Sequence, residues 1–179
     1  MGPDTENFLR PHVVEPSISK WDLRGLMAAA FYSTWSKDPS TRVGAVIMDR
    51  NRHLVGWGYN GPPAGILDTE ERLNNRDVKL MITLHAEHNA ILHSIGDVEG
   101  CTLYVWPFQP CAHCAAQIIQ KRIGRVVTAR TDTSFRWEES FRVAREMLTE
   151  ARIPLRLVSP SYVIRGLKEA LQSADVYDY

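Results

Sequence analysis
The sequence predicts an α/β fold, a three-layer α/β/α sandwich with helices on both faces of a sheet. Two observations predict it. Past an opening helix and a strand hairpin, helical and β-rich segments alternate along the rest of the chain, as in a sheet covered on both sides. The β-rich runs at 102–106 and 125–129 flank one helix, which makes them parallel neighbours joined by a right-handed crossover.

Residues 1–18 read as an irregular arm with three prolines, and 19–179 as a single domain. "SKWDLRGLMAAAFYSTWS" opens that domain as a helix, with Ser19 as N-cap and Asp22 in the first turn, where an acid suits the helix dipole. Leu23, Leu26, Met27, Ala30 and Phe31 alternate in steps of three and one and make one apolar stripe. Pro39 of "KDPST" stops the helix. "RVGAVIMD" and "HLVGWGYN" around "RNR" read as a hairpin, and "NGPPAG" as a turn. "DTEERLNNRDVKLMIT" has a weak helical pattern. His85 to His93 is a helix closed by Gly96, and "CTLYVWP" a strand. "CAHCAAQIIQKRI" is a helix ending at Gly124, followed by the strand "RVVTAR". "WEESFRVAREMLTEA" is a helix with Trp137, Phe141, Ala144 and Leu148 inward. "IPLRLVS" is the last strand, and Val163 to Leu171 a short closing helix.

Bulk properties exclude several classes. With 179 residues the chain is long enough for one domain with a substantial core. Twenty-one basic residues balance 21 acidic ones, which argues against a nucleic-acid binder that relies on a broad basic surface. No apolar run approaches the roughly 18 residues that span a bilayer. "MGPDTENFLRPHVVEP" has no apolar core of a secretory signal, and Glu6 breaks the myristoylation pattern. Three cysteines, Cys101, Cys111 and Cys114, without a signal peptide point to a cytoplasmic protein whose thiols serve chemistry or metal.

The chemistry is concentrated in two fragments. "LHAEHNAIL", from Leu84 to Leu92, puts His85, Glu87, His88 and Asn89 into an otherwise apolar run. Pro110-Cys111-Ala112-His113-Cys114 begins 25 residues after His85. Each fragment starts a helix after an extended segment, so His85 and Glu87 converge around an open helix end. Cys111 and Cys114 share a face, and a helix N-terminus favours their thiolates. One imidazole and two thiolates suit zinc. Three protein ligands leave one tetrahedral position for water, whose pKa zinc lowers from about 15.7 to roughly 7. A carboxylate beside that water and off the metal is suited to carry protons, and Glu87 is so placed. H-x-E with P-C-x-x-C is the signature of zinc nucleobase deaminases.

On "SKDPSTRVGAVI", "GWGYNGPPAG", "HAEHNAIL", "LYVWPFQPCAHCAAQIIQKRIGRVV" and the later "RW", the chain resembles the cytidine/deoxycytidylate deaminase family, and most of all its dCMP deaminases. The resemblance runs from about Trp21 to Leu157. It implies a central five-stranded mixed sheet, Zn2+ on His85, Cys111 and Cys114, and Glu87 as the catalytic proton shuttle. It implies that Asn60 of "GYNG" contacts the sugar and counts Ala86 among the substrate contacts. It also implies a homo-oligomer, with dCTP and dTTP as regulators in some relatives. Glu87 would take a proton from water, deliver it to N3 of cytosine and then protonate the amino group, which leaves as ammonia. His88 departs from the family, where that position is often apolar.

Further residues carry two readings each. Trp106 and Phe108 can wall the base pocket, since aromatics stack on bases; packing alone also accounts for Trp106. Arg42 and Arg136 are candidates for a 5′-phosphate, because a guanidinium meets phosphate with two hydrogen bonds; solvation is the alternative. Asn60 can be simply a turn residue, and Asn89 a brace for the "GYNG" turn. His113 is a surface or outer residue, Cys101 a small core residue, and His12, His53 and His93 surface or local partners. His88 could instead join His85 and both cysteines in a closed four-ligand structural site. The favoured reading is deamination of a free cytosine nucleotide, dCMP to dUMP. The alternatives are a deaminase of dCTP, CMP, modified dCMP or tRNA adenosine, and a non-catalytic zinc-stabilised nucleotide-binding module.

Overall fold
The computed structural model describes residues 18–130 and 135–174. Most of the expected arm, residues 1–17, falls outside them. Helix α1 (Lys20–Ser33) starts where the Ser19 side chain accepts from the Asp22 N–H at 3.0 Å. Strands β1 (Gly44–Met48) and β2 (Leu54–Tyr59) form the expected hairpin. Two short helices, α2 (Glu70–Asn74) and α3 (Arg76–Ile82), fill the weakly helical stretch. Then follow α4 (Ala86–Leu92), β3 (Thr102–Trp106), α5 (Ala112–Gln120), β4 (Arg125–Ala129), α6 (Phe135–Glu150) and β5 (Leu155–Val158). The last helix, α7 (Pro160–Ala174), is longer than the expected Val163 to Leu171.

The five strands form one mixed sheet in the order β2-β1-β3-β4-β5. β1 is antiparallel to both β2 and β3, whereas β3, β4 and β5 are parallel. β2 therefore also runs with β3. The carboxyl ends of four strands and the amino end of β1 share one edge of the sheet. Gly44 of β1 pairs there with Tyr59 of β2 and Trp106 of β3.

Strand alternation sorts the core into two layers. Ala45, Ile47, Leu103, Val105 and Val126 face α4, α5 and α6, meeting Ala86, Ala90, Ala115, Ile118, Ala144 and Leu148. Val46, Tyr104, Val127 and Val158 face α1 and α7, meeting Leu26, Ala29 and Val163. The inward face of α1 is rotated from the stripe read in the sequence. Its buried residues are Asp22, Gly25, Leu26, Ala29, Ala30 and Ser33, while Phe31 is 55% exposed. Small residues let α1 lie close to the sheet, and this close approach outweighs the larger apolar surface of Phe31. Asp22 is more than a first-turn acid. Its carboxylate, fully buried, accepts from Tyr104 Oη at 3.1 Å and Arg156 Nη1 at 3.0 Å, and is paired with Arg125. Among the described residues no helix is long and apolar enough to cross a membrane.

Two glycines set how closely helices approach the sheet. A Cβ at Gly44 would lie 2.0 Å from the Ala29 carbonyl oxygen of α1. One at Gly58 would lie 2.5 Å from Ala90 N and 2.6 Å from Ala86 O of α4. Both obstacles are backbone, so the helix itself would have to move. Gly58→Ala should destabilise the fold by about 3 kcal/mol through overpacking, measured by urea unfolding, while a glycine-to-alanine change at half-buried Gly61, where nothing stands within 4 Å, should not.

Candidate active site
The shared sheet edge gathers the chemistry. His85 is the N-cap of α4 and Cys111 the N-cap of α5. Both have extended backbones and neither side chain caps its own helix, so both project across the open helix ends. Cys114 lies three residues into α5. His85 Nδ1 is 3.5 Å from Cys111 Sγ and 3.3 Å from Cys114 Sγ, and the three donors all lie within 4.8 Å of one another. A tetrahedral zinc with Zn–N near 2.1 Å and Zn–S near 2.3 Å needs an N···S edge of about 3.6 Å. The donor set and its spacing fit that ion.

The three ligands differ in protonation. The Cys111 thiol is pulled down to about 4, first by the hydrogen bond with Cys114 and, against burial, by His85. The Cys114 thiol is pushed up, mainly as the partner of that bond. The His85 imidazole is raised to about 9, chiefly by Cys111. Protein alone thus favours a Cys111 thiolate beside a His85 imidazolium.

Glu87, in the first turn of α4, is 4% exposed. Burial raises its carboxyl above the ordinary range, opposed by the nearby His85. It lines a cavity of about 400 Å³ together with His85 and Cys111. Phe108, Trp137 and Phe141 give this cavity an aromatic wall, and Ala86 is also part of its lining. Asn60, Thr41, Thr83 and Gln109 supply polar groups.

The remaining sequence candidates separate clearly. Phe108 and Ala86 are at the cavity. Trp106 is not among its lining residues; it packs with the α1–α7 layer. The reading of Trp106 as a base wall is corrected by the two-residue period of β3: Leu103 and Val105 face the site layer, Tyr104 and Trp106 the opposite one. Asn60 lines the cavity, but its amide bridges the preceding loop. Its oxygen accepts from Val43 N at 2.8 Å and its nitrogen donates to the Thr41 carbonyl at 2.9 Å. One lone pair and one N–H of that amide are left for a ligand. Arg42 is exposed, outside the lining, with Nε 3.5 Å from the Asp38 carbonyl. The side chain of Arg136 lies outside the described residues, as does His12.

His88 is not part of the metal cluster; its Nδ1 lies 3.3 Å from Gln117 Nε2 of α5. Asn89 donates to the Tyr59 carbonyl at 2.8 Å and braces the "GYNG" turn. Cys101 is buried in the core, and His53 is with Asp49 at the surface. His93 and His113 are exposed.

Two cavity residues have no signal in the sequence. Lys79 of α3, 8% exposed, donates to Asp38 Oδ1 at 2.9 Å and to Ser40 Oγ at 2.7 Å. Asp38 Oδ1 also accepts the backbone N–H groups of Ser40 and Thr41. Arg76, three residues before Lys79, lines the cavity as well.

The ligand assignment can be tested by metal content. His85→Ala and Cys114→Ala should lose zinc, and His88→Ala should retain about one ion per chain, measured by metal analysis of purified protein. At neutral pH two of the three ligands hold a proton that zinc must displace. Zinc affinity should therefore rise with pH through neutrality and go on rising as His85 and then Cys114 lose their protons, read by chelator competition.

The comparisons with known proteins agree with this geometry. The profile of the cytidine and deoxycytidylate deaminase zinc-binding region matches residues 19–130. An uncharacterised deaminase in the luxG 3′ region of Aliivibrio fischeri is 44% identical over 138 residues, 76% of this chain and 92% of its own. Deoxycytidylate deaminase of Mus musculus is 39% identical over 145 residues, 76% of this chain and 79% of its own. The solved dCMP deaminase of cyanophage S-TIM5 shares the fold, with a TM-score of 0.60 at 22% identity over 78% of this chain and 99% of that one. The chain belongs to the cytidine and deoxycytidylate deaminase family, whose zinc-binding region matches the residues that bring His85, Cys111 and Cys114 together.

Proposed function
We propose that this chain hydrolyses the exocyclic amine of a free cytosine nucleotide, converting dCMP to dUMP with release of ammonia. The observation that carries the reading is the buried Glu87, which lines one cavity with His85 and Cys111 of a metal triad that no fourth ligand among the described residues closes. A structural zinc site would need a fourth donor, and His88 is turned to Gln117 instead. Relatives named deoxycytidylate deaminase support the substrate, as does the S-TIM5 enzyme solved with dCMP and dUMP. The cavity, about 400 Å³, suits a single nucleotide.

His85 and the two thiolates would hold zinc, which when bound would supply acidification of a water molecule. The other steps belong to the chain. Phe108, Trp137 and Phe141 flank the ring and exclude bulk solvent. Glu87 accepts a proton from the attacking water and delivers it to N3 as the new C4–O bond forms. It then passes the second water proton to the 4-amino group, and the C4–N bond breaks to give ammonia and the uracil ring. A carboxyl whose proton affinity is raised by burial is suited to both transfers. Asn60 contacts the sugar through the amide groups its loop bonds leave over.

A homo-oligomer is part of the same reading. The exposed aromatic cluster of Phe31, Trp35 and Tyr59 supports it, with edge-to-face contacts linking Phe31 to Trp35 and Trp35 to Tyr59. A cytoplasmic location suits three free thiols.

Glu87→Gln keeps the shape of the side chain and removes its proton transfer. It should retain stoichiometric zinc and lose about 10³-fold in ammonia release from dCMP. Full activity with full zinc in that variant would sink the proposal.

A further inference from the structure
Helix α3 presents two cations to the cavity, Arg76 and Lys79, three residues apart and so on one helix face. Their situations differ. The Lys79 ammonium is buried, tethered to Asp38 and Ser40. Two of its three donors are thus engaged, and the Asp38 carboxylate matches its charge. Arg76 is exposed and its guanidinium makes no ion pair with any described residue. Apart from the metal ligands, the charged lining consists of Asp38, Lys79, Arg76 and Glu87. Asp38 cancels Lys79, and Glu87 is the proton carrier. Arg76 therefore carries the one uncompensated positive charge of the described lining.

We propose that Arg76 reads the 5′-phosphate of the substrate, with the tethered Lys79 as the second cation beside it. The assignment rests on the nucleotide reading above and adds what selects a nucleoside monophosphate over the bare nucleoside. A guanidinium offers a fork that matches two phosphate oxygens, and Lys79 offers its remaining N–H as a point donor. An exposed arginine at the mouth leaves the phosphate partly hydrated, so the charged group need not be stripped of water while the base enters among the aromatic rings. Lys79 could not do this alone, because Asp38 already neutralises it. Asp38 and Ser40 position the ammonium by holding it against the loop that also carries Thr41. Arg42, the guanidinium that the sequence put forward, lies outside this lining.

The test is the ratio of kcat/KM for dCMP to that for deoxycytidine, measured on the zinc-loaded protein. Arg76→Gln, at an exposed position, should lower this ratio roughly 10- to 100-fold, the worth of a charged hydrogen bond. Inorganic phosphate should inhibit the wild type competitively against dCMP and inhibit Arg76→Gln more weakly. Lys79→Arg keeps the cation and should preserve the ratio better than Lys79→Met; where Lys79→Met fails to fold, the Arg76→Gln ratio and phosphate inhibition decide. An unchanged ratio in Arg76→Gln, equal losses for both substrates, or a collapse produced by Arg42→Gln instead overturns the assignment. A wild type that deaminates neither dCMP nor deoxycytidine overturns the underlying reading, a separate result.

Discussion

The site depends on how closely α4 lies against β2. At Gly58 the strand backbone and the backbone of Ala86 and Ala90 approach to a distance that leaves no room for a Cβ. This contact fixes the start of α4 at the sheet edge where the parallel strands end. His85 and Glu87 are then carried to the same point as Cys111, which follows β3 over the same edge. Because His85 and Cys111 are the N-caps of two different helices, their side chains are free of intrahelical duties. The cluster that could hold a metal and the buried Glu87 are thus brought together by backbone packing, before any hydrogen bond in the cavity is counted.

The opposite end of the sheet is held in another way. Asp22 of α1 ties Tyr104 of β3, Arg125 of β4 and Arg156 of β5. Arg125 opens its strand and Arg156 is second in its own, so the clamp lies towards the amino ends of the parallel strands. A buried carboxylate with two arginines is costly to break and leaves α1 little freedom to slide. The carboxyl edge, where loops and the single Lys79–Asp38 pair at the cavity join the elements, is left to shape a cavity. Structure and chemistry are divided between the two ends of the same strands.

Much of this was legible in the chain. Alternating segments announced the layers, Ser19 the first helix, and the spacing of His85, Cys111 and Cys114 a cluster that could hold a metal. What escaped had physical reasons. Trp106 is aromatic and adjacent to the site in sequence, but side-chain alternation in β3 sends it through the sheet. Phe31 fits an apolar stripe, yet small residues decide which face of α1 can approach the sheet. Lys79 is one lysine in a weakly helical stretch, and its partner Asp38 is 41 residues away. No local pattern records such a pair. Net charge is silent on local placement: a chain with zero balance still brings Arg76 and Lys79 to one cavity.

The cavity also holds two carboxylates in opposite environments, and the contrast fits the roles proposed for them. Burial pushes both upward. At Asp38 it is overcome by Lys79 and by the backbone N–H groups of Ser40 and Thr41, and the carboxyl ends below its ordinary value. At Glu87 burial prevails over the favourable field of His85, and the carboxyl ends above it. A group held firmly as an anion is a poor proton donor at neutral pH, and it serves best as a fixed charge that positions an ammonium and a loop. A group whose two forms are brought closer in energy can accept a proton and return it. Exchanging the two environments would leave every residue in place and remove the chemistry, since the donors around Asp38 would hold Glu87 ionised through the whole cycle.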